Sequence, residues 1–218
     1  MNDVIKDLSE LRLSYQKGEL HEAQVAKNPH VQFLNWFNAA LDAKLHEPYA
    51  MSLATANAQG RAHVRTVLLR GATEAGYDFY SNYDSQKGLD LMENPYAEIL
   101  FYWPELERQI RVSGRVEKIS LAESTDYYYK RPRDSQIAAH ISTPQSGVIA
   151  SREELQSRFQ VLQDEVADNV KLAKPEFWGG YRLVPDYYEF WQGRPNRLHD
   201  RLSYERIDAT WKLQRLMP

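Results

Sequence analysis

The most chemically suggestive part of the sequence is a run of cations directly behind an aromatic segment. Residues 194–206 read RPNRLHDRLSYER and contain four arginines and one histidine. In an extended chain, Arg197, His199 and Arg201 occupy alternate positions and project from one face. These side chains are suited to bind an anion and a flat ring. An exposed loop whose arginines pair with Asp200 and Glu205 explains the same pattern.

A second cationic cluster, KRPRDSQI at Lys130–Ile137, follows a tyrosine-rich segment. Pro132 disfavours the helical conformation for the residue before it, so Arg131 is expected to be extended. Arg131 and Ser135 are then suited to bind one oxyanion, the arginine through its fork of donors and the serine through its hydroxyl. The alternative is an ordinary helix end whose cations lie near the last carbonyl groups, followed by a polar loop.

Two more sets of cations lie in the first half of the chain. Arg65 and Arg70 flank the apolar run TVLL, and their odd separation places them on opposite sides of a regular strand. Solvent-exposed arginines at strand ends are the other interpretation. The segment Ser85–Gly88 is expected to open a short helix whose free amides receive a phosphate beside Lys87, or simply to cap that helix. Together with the first two clusters, these residues predict a site for a phosphorylated, flat, aromatic compound with room for two phosphates.

The elements that must position these residues are predicted to be short strands with a few helices between them. Alternation is clearest in residues 109–119, where Ile110, Val112 and Val116 face one way. This order favours an antiparallel, mainly β, α+β barrel over a doubly wound parallel sheet. The other predicted strands are two around a turn at 57–60, then 77–81, 97–103, 178–183, 187–191 and 210–216, and the predicted helices are 31–45, 85–93, 121–130 and 151–167.

Composition excludes several classes of protein. The 218 residues suit one large domain or two small ones, and the formal net charge of −3 does not indicate a nucleic-acid binder. The absence of cysteine excludes disulfides, zinc–thiolate sites and thiol nucleophiles. With no apolar signal core and no run long enough to cross a bilayer, a cytoplasmic protein without membrane contact is expected.

Motifs tied to several common chemistries are missing. The chain has no GxGxxG, no GxxxxGK[ST], no HExxH and no GxSxG. The six histidines are scattered without paired metal-ligand spacing, so no metal site is predicted. A Rossmann dehydrogenase, a P-loop enzyme, a zinc protease and a serine hydrolase therefore have no support.

At these cationic segments the sequence resembles the pyridoxine (pyridoxamine) 5′-phosphate oxidase family. The resemblance runs in order along essentially the whole chain, and RPRDSQI and RLHDR with the spacing between them are its most specific parts. The matching stretches are RLSY (12–15), RTVLLR (65–70), FYSN (79–82), LERQ (106–109), YYYKRPRDSQI (127–137), QS (145–146), FWGGYR (177–182), EFWQG (189–193) and RLHDR (197–201).

The resemblance implies an FMN-binding split barrel that forms a homodimer, with each flavin at the subunit interface. It implies one domain over residues 1–218, in which residues 1–28 form a mobile arm with a short helix. The implied FMN contacts are Arg65, Thr66, Val67, Leu68, Leu69, Arg70, Tyr80, Ser81, Gln86, Lys87, Gln109, Gln145, Ser146, Trp191 and Arg201. The implied substrate contacts are Arg12, Leu13, Ser14, Tyr15, Arg70, Tyr127, Arg131, Ser135, Arg197, Leu198 and His199.

The resemblance also implies a reaction. Pyridoxine 5′-phosphate or pyridoxamine 5′-phosphate would lose a hydride to the flavin and become pyridoxal 5′-phosphate, with Arg197 and His199 facing the pyridine ring as catalytic residues. Dioxygen would then reoxidise the flavin and give hydrogen peroxide. Two alternatives stay open, a flavin-dependent reductase of another substrate on the same fold and a non-catalytic module that binds a phosphate ligand.

The chain departs from the family pattern at two positions. The family usually has lysine where this chain has Arg70, and arginine where it has Gln86. Arg70 keeps the charge and is able to bind phosphate through two donors. Gln86 removes a cation beside the flavin phosphate, so we expect weaker FMN retention, by about 1–3 kcal/mol if that contact is buried.

Overall fold

The computed structural model describes residues 14–166 and 170–218. Within these ranges the strands are β1 Ala50–Ala56, β2 Ala62–Leu68, β3 Gly71–Thr73, β4 Gly76–Asn82, β5 Tyr96–Trp103, β6 Arg108–Lys118, β7 Trp178–Gln192, β8 Asp200–Ile207 and β9 Thr210–Arg215. The helices are α1 Pro29–Asp42, α2 Gln86–Glu93, α3 Leu121–Lys130, α4 Arg133–Ile141 and α5 Arg152–Glu165, with short 3-10 turns at Pro104–Leu106 and Pro195–Arg197. None of the described helices is long and apolar enough to span a membrane.

The strands form one sheet in the order β2-β1-β5-β6-β7-β4-β3, and β8 pairs with both β7 and β9. The pairs β1–β2, β1–β5, β3–β4, β4–β7 and β8–β9 are antiparallel. The β1–β2 register sets Leu53 opposite Arg65 and Thr55 opposite His63. The predicted mainly β, antiparallel α+β fold is confirmed.

The chain divides into two compact units. The first contains the described residues up to Pro48 together with Tyr102–Ile110 and Tyr188–Pro218, and the second contains Tyr49–Phe101 and Arg111–Tyr187. In the first unit, Trp36 of α1 packs edge-on against Phe190, with 5.4 Å between ring centroids. In the second, the alternating residues of β4 and β5 bury Phe79 and Ile99 completely. The single-domain organisation stays a prediction.

Several predicted boundaries differ from the structure. The strands predicted at 178–183 and 187–191 are one strand, β7, which continues through Pro185; a proline is compatible with a strand where its missing N–H is not needed. The alternative interpretation of a polar loop after Pro132 is wrong, because helix α4 begins there. Residues 14–28 contain turns but no helix, and the rest of the predicted arm lies outside the described residues.

Gly114 is expected to tolerate no side chain, because β6 and β7 approach closely there. A Cβ atom at this position would overlap the backbone carbonyl oxygen of Val184 and lie 2.9 Å from Cα of Pro185. Both obstacles are backbone atoms of a neighbouring strand, so they cannot rotate away. Gly114→Ala should lower the free energy of unfolding by about 2–4 kcal/mol, measured by urea denaturation. A Gly60→Ala control at an open turn position should cost less, and equal losses would contradict this close approach.

Candidate active site

A cavity of about 640 Å³ lies within the second unit and brings most of the predicted FMN contacts together. It is lined by His63, Arg65, Thr66, Val67, Leu68, Arg70, Tyr80, Ser81, Asn82, Gln86, Lys87, Tyr127, Arg131, Gln145, Ser146 and Trp178. Residues separated by more than a hundred positions in the sequence therefore share one site. Predicted FMN contacts and predicted substrate contacts lie in the same cavity.

Lys87 is positioned by the start of helix α2. Ser85 caps this helix and accepts a hydrogen bond from the backbone N–H of Gly88. The Lys87 Nζ donates to Ser81 Oγ at 3.0 Å, to Ser85 Oγ at 3.1 Å and to Gln145 Oε1 at 3.2 Å. Burial, reinforced by the nearby charge of Arg65, lowers the pKa of Lys87 to about 8. The lysine is thus a partly buried cation whose partners in the described chain are neutral oxygen atoms.

Arg65 lies on strand β2 and is held at two points. Its Nη1 donates to the carbonyl oxygen of Leu53 at 3.0 Å and to Thr55 Oγ1 at 2.8 Å. Arg70 follows β2, which ends at Leu68, so the prediction that Arg65 and Arg70 lie on opposite sides of one regular strand is wrong. Because the strand ends between them, both arginines line the same cavity.

An aromatic wall forms another side of the cavity. The rings of Tyr80 and Tyr127 stack with centroids 3.8 Å apart, and Tyr80 also stacks on Trp178 at 5.5 Å. Desolvation raises the pKa of Tyr80 to about 12, so its phenol stays neutral at physiological pH. The wall is flat and apolar, which suits contact with an aromatic ligand.

Arg131 lies against this wall with part of its guanidinium unpaired. Its backbone is extended (φ −75°, ψ 147°), which confirms the conformation predicted from Pro132. The guanidinium carbon lies 4.6 Å from the ring centroid of Trp178. Nη1 is buried and has no hydrogen-bond partner among the described residues, and desolvation lowers the pKa of Arg131. A buried donor without a partner carries a substantial free-energy penalty, so this atom is well placed to bind an anion.

The segment around RLHDR forms a separate cluster within the first unit. The ring centroid of His199 lies 4.8 Å from that of Trp191 and 5.7 Å from that of Tyr15. The backbone N–H of Arg194 donates to His199 Nδ1 at 3.1 Å. A neutral His199 must therefore carry its proton on Nε2. Desolvation, with a smaller contribution from Arg197, lowers the pKa of His199 and favours this neutral form.

The predicted alignment of Arg197, His199 and Arg201 on one extended face is wrong. Asn196 and Arg197 adopt left-handed backbone angles (φ 56° and 61°) in the 3-10 turn after Pro195, and strand β8 begins only at Asp200. Pro and Asn favour such a turn over an extended strand.

Two charged residues of the RLHDR segment, Arg201 and Asp200, form ion pairs. Arg201 makes two hydrogen bonds of 3.0 Å to the buried carboxylate of Glu189. Asp200 pairs with Arg215 at 2.7 Å and with Arg194 at 3.5 Å. The alternative of an exposed loop paired through Asp200 and Glu205 is therefore present only in part. Asp200 forms its ion pairs, Arg201 pairs with the buried Glu189 instead, and Arg197 is exposed.

The remaining predicted site residues are dispersed. Leu69 is buried, Leu198 is exposed, Gln109 is half-buried in β6, and Ser135 lies in the first turn of α4 without lining the cavity. Ser14 accepts a hydrogen bond from the side chain of Gln16. Arg12 and Leu13 lie outside the described residues.

Three residues line the cavity that sequence analysis did not assign to the site: His63, Asn82 and Trp178. His63 is two positions before Arg65 in a predicted strand, so the alternation of side chains was a signal that could have found it. Asn82 and Trp178 are cross-strand partners in β4 and β7. No pattern within either strand's sequence indicates that β4 and β7 pair with each other.

The chain matches known protein families over most of its length. Residues 37–165 match the family model described as pyridoxamine 5′-phosphate oxidase, and residues 178–218 match the pyridoxine 5′-phosphate oxidase C-terminal dimerisation region. A protein named pyridoxine/pyridoxamine 5′-phosphate oxidase from Acinetobacter baumannii is 79% identical over all 218 residues of both chains. A protein of the same name from Deinococcus deserti is 54% identical over 212 residues, covering 97% of this chain and 99% of that one.

Solved structures show the same fold. PhzG from Burkholderia lata, in complex with tetrahydrophenazine-1-carboxylic acid, is 31% identical with a TM-score of 0.85, covering 92% of this chain and 98% of that one. A pyridoxamine 5′-phosphate oxidase-related, FMN-binding protein from Nostoc punctiforme is 19% identical with a TM-score of 0.71, covering 89% and 100%, and shows the fold alone. With two family models and full-length relatives in agreement, the chain belongs to the pyridoxamine 5′-phosphate oxidase family.

Proposed function

We propose that the chain oxidises pyridoxine 5′-phosphate and pyridoxamine 5′-phosphate to pyridoxal 5′-phosphate, with FMN as cofactor and dioxygen as the final electron acceptor. The observation that carries this proposal is the cavity lined by the cations Arg65, Lys87 and Arg131 and by a flat aromatic wall. The full-length identity to proteins named pyridoxine/pyridoxamine 5′-phosphate oxidase supports the same substrate class.

The residues present fit a phosphorylated flavin. Lys87 is a partly buried cation with neutral partners. An anion beside it would stabilise its charged form and so offset the effect of desolvation, which lowers its pKa. The N-terminus of α2, which is the positive end of the helix dipole, lies next to this lysine. Within the cavity, Arg65, Ser81, Gln86, Lys87, Gln145 and Ser146 would hold the FMN phosphate, and Thr66–Arg70 with Tyr80 would contact the rest of the cofactor. When bound, FMN supplies the hydride acceptor.

The substrate phosphate requires a second cationic group. The unpaired Nη1 of Arg131 is the described donor best suited to it, and Arg70 and Tyr127 line the same cavity. Ser135, Ser14 and Tyr15, together with Arg12 and Leu13 outside the described residues, remain proposed substrate contacts on the basis of the family resemblance.

Arg197 and His199 are the proposed catalytic residues, with Leu198 between them. His199 presents an Nε2–H donor in its neutral form, because Nδ1 accepts from the Arg194 backbone. It can therefore hold a hydroxyl or amine of the substrate without a change of protonation. Hydride transfer depends chiefly on placing the donor carbon over its acceptor, so positioning by these residues is their main contribution.

Gln109, Trp191 and Arg201 remain proposed FMN contacts on the basis of the family resemblance. Because the charge of Arg201 is balanced by Glu189, its contribution to FMN would be directional hydrogen bonding rather than net charge. Trp191 stands beside His199 and could border the ring system.

The protein is proposed to act as a homodimer with FMN at the subunit interface. The match of residues 178–218 to a C-terminal dimerisation region supports this assembly. Light scattering of the purified protein should give twice the 25.4 kDa chain mass. A monomer that binds FMN and turns over substrate would overturn it.

The decisive experiment mixes purified protein, FMN and pyridoxine 5′-phosphate in air. Balanced oxidation converts one substrate and one dioxygen into pyridoxal 5′-phosphate and hydrogen peroxide. Pyridoxal absorbance and peroxide should therefore grow in equal amounts. FMN binding without product would leave a reductase of another substrate, and ligand binding without FMN would leave a non-catalytic phosphate-binding module.

One structural relative was solved with an anionic ligand of a different kind. PhzG was solved with tetrahydrophenazine-1-carboxylic acid, which bears a carboxylate and no phosphate. The buried Nη1 of Arg131, which has no partner among the described residues, would suit an anionic group of the substrate here.

Gln86→Arg is expected to tighten FMN binding about two- to tenfold. The Gln86 side chain is exposed and donates to Asp90 Oδ1 at 2.9 Å, so an added cation acts through partly screened electrostatics. The dissociation constant should be measured by quenching of flavin fluorescence, with Gln86→Met as the uncharged control. An unchanged or raised constant in the arginine variant would contradict this prediction.

A further inference from the structure

His63 lines the FMN-binding cavity proposed above, and its ring is tied to a buried carboxylate. Its Nδ1 lies 2.9 Å from Oδ2 of Asp90, whose side chain is 1% exposed. Among the described residues, Asp90 is the hydrogen-bond partner of His63. The imidazole side chain is 25% exposed, so it is accessible to a ligand in the cavity.

Asp90 is held as a carboxylate by several donors. Thr55 Oγ1 donates to Oδ2 at 2.6 Å and Gln86 Nε2 donates to Oδ1 at 2.9 Å. Burial alone would raise the pKa of Asp90, but the hydrogen bonds from Thr55, Gln86 and His63 hold it below its usual value. An ionised carboxylate is an acceptor only, so His63 must carry a proton on Nδ1.

The fixed Nδ1–H leaves Nε2 as the atom that meets a ligand. In the neutral ring, Nε2 presents a lone pair, which repels a phosphate oxygen. In the charged ring, Nε2–H donates a charge-assisted hydrogen bond to that oxygen. A bound phosphate therefore selects the histidinium form, and Asp90 balances its charge from the opposite side.

Apart from Asp90, the described charged groups around His63 are cations. Arg65 lies on the same strand, with Nη2 at 3.8 Å from Asp90 Oδ2, and Lys87 of α2 lines the same cavity. The neighbouring strand β1 contributes the neutral hydroxyl of Thr55. A phosphate dianion in the cavity would attract Arg65 and Lys87, and it would also attract His63 in its charged form.

We propose that His63, oriented by Asp90, is a phosphate-binding residue for FMN and couples cofactor binding to the uptake of one proton. This inference rests on the proposed function, because it assumes that the phosphate in this cavity is that of FMN. It also gives Gln86 a role, since that side chain helps to fix the carboxylate that orients His63. The contribution of His63 to FMN affinity should consequently fall as the pH rises, because the neutral ring has no Nε2–H to donate to the phosphate.

The test compares the FMN dissociation constants of the wild type and His63→Gln between about pH 6 and pH 8. The ratio of variant to wild-type constant should be about tenfold near pH 6, the effect of one charge-assisted hydrogen bond, and should approach one near pH 8. Using the ratio cancels the titration of the FMN phosphate and of Lys87, which both proteins share. Riboflavin, which lacks the phosphate, should show no such pH-dependent ratio.

A second measurement and a second variant distinguish a specific effect on FMN binding from a folding defect. Calorimetry in two buffers of different ionisation enthalpy should show more proton uptake per FMN in the wild type than in His63→Gln. Asp90→Asn retains the shape of the acceptor but removes its charge, so its FMN affinity near pH 6 should fall towards that of His63→Gln. Thermal denaturation identifies any variant that is not folded.

The outcomes separate the two proposals. In one outcome, both proteins bind FMN and oxidise pyridoxine 5′-phosphate, but the ratio of their FMN dissociation constants does not change with pH and their proton uptake is equal. That result would overturn the role of His63 and leave the proposed function intact. Failure of the wild type to bind FMN would overturn both. The same pH-dependent ratio for riboflavin would show that His63 acts on the ring system or the fold and not on the phosphate, which also overturns the inference.

Discussion

Lys87→Met is expected to weaken FMN binding by about two orders of magnitude. The ammonium group lies among Ser81, Ser85 and Gln145 with no carboxylate among these partners, so a phosphate would supply the counter-charge that these described residues lack. Losing one or two charge-assisted hydrogen bonds corresponds to about 2–4 kcal/mol. The dissociation constant should be measured by flavin fluorescence near pH 7.

The matched control is Lys118→Met. Lys118 lies in the second unit as well, but its Nζ stacks over the ring of Tyr83 at 4.0 Å and does not line the FMN-binding cavity. Its removal should leave the FMN affinity unchanged. Equal losses in both variants would show that a general electrostatic attraction, and not a specific contact, holds the cofactor.

The lowered pKa of Lys87 predicts that Lys87→Met has a second effect, on the stability of the FMN-free protein, that is opposite in sign to its effect on FMN binding. A lysine whose pKa is lowered on folding destabilises the FMN-free protein while it is charged, and this cost disappears as the pH rises from about 8 towards the ordinary value of 10.5. Lys87→Met should therefore raise the melting temperature of the FMN-free protein near pH 7 while it weakens FMN binding. A variant that loses both stability and FMN affinity would instead indicate a structural role for Lys87.

Arg131→Met is expected to raise the KM for pyridoxine 5′-phosphate about a hundredfold or more, with little change in FMN affinity. The buried Nη1 has no partner among the described residues, so the proposed substrate phosphate is the group that would satisfy it. Methionine keeps an unbranched apolar side chain against Trp178 and removes only the charge and donors. Steady-state kinetics with saturating FMN measure the effect.

Two further variants test whether the effect on KM is specific to the charge and donors of Arg131. Arg131→Lys should recover part of the loss, because it restores the charge but not the fork of donors. Arg115→Met removes an exposed arginine from β6 and should change neither constant. If Arg131→Met weakened FMN binding and left KM unchanged, the roles assigned to the two cationic groups of the cavity would be reversed.

Local rules predicted much of the fold. The alternation in β6 was confirmed because one face of that strand packs into the core while the other faces outward. The cap at Ser85 and the extended backbone of Arg131 were also confirmed. Both depend on sterics and hydrogen bonds among a few neighbouring residues, which a sequence specifies without reference to the rest of the chain.

Parts of the candidate site were not predictable from such rules. The alternation argument failed at Arg197 because Pro195 and Asn196 form a left-handed turn before β8 begins. It failed again at Arg70 because β2 ends two residues earlier. The partner of Arg201 is Glu189, which meets it only through the pairing of β7 with β8.

The sequence by itself determined the antiparallel, mainly β architecture, the cationic segments and, through RPRDSQI and RLHDR, the family. Those features depend on residue type, short-range spacing and motif order. Tertiary structure alone decided which side chains face one another: Asp90 fixes His63 from 27 positions away, and Arg131 reaches Trp178 across a fold that leaves one of its donors unpaired. The physical reason is that a charge acquires its function from the groups that surround it after folding, whereas a strand or a cap is specified by its immediate neighbours.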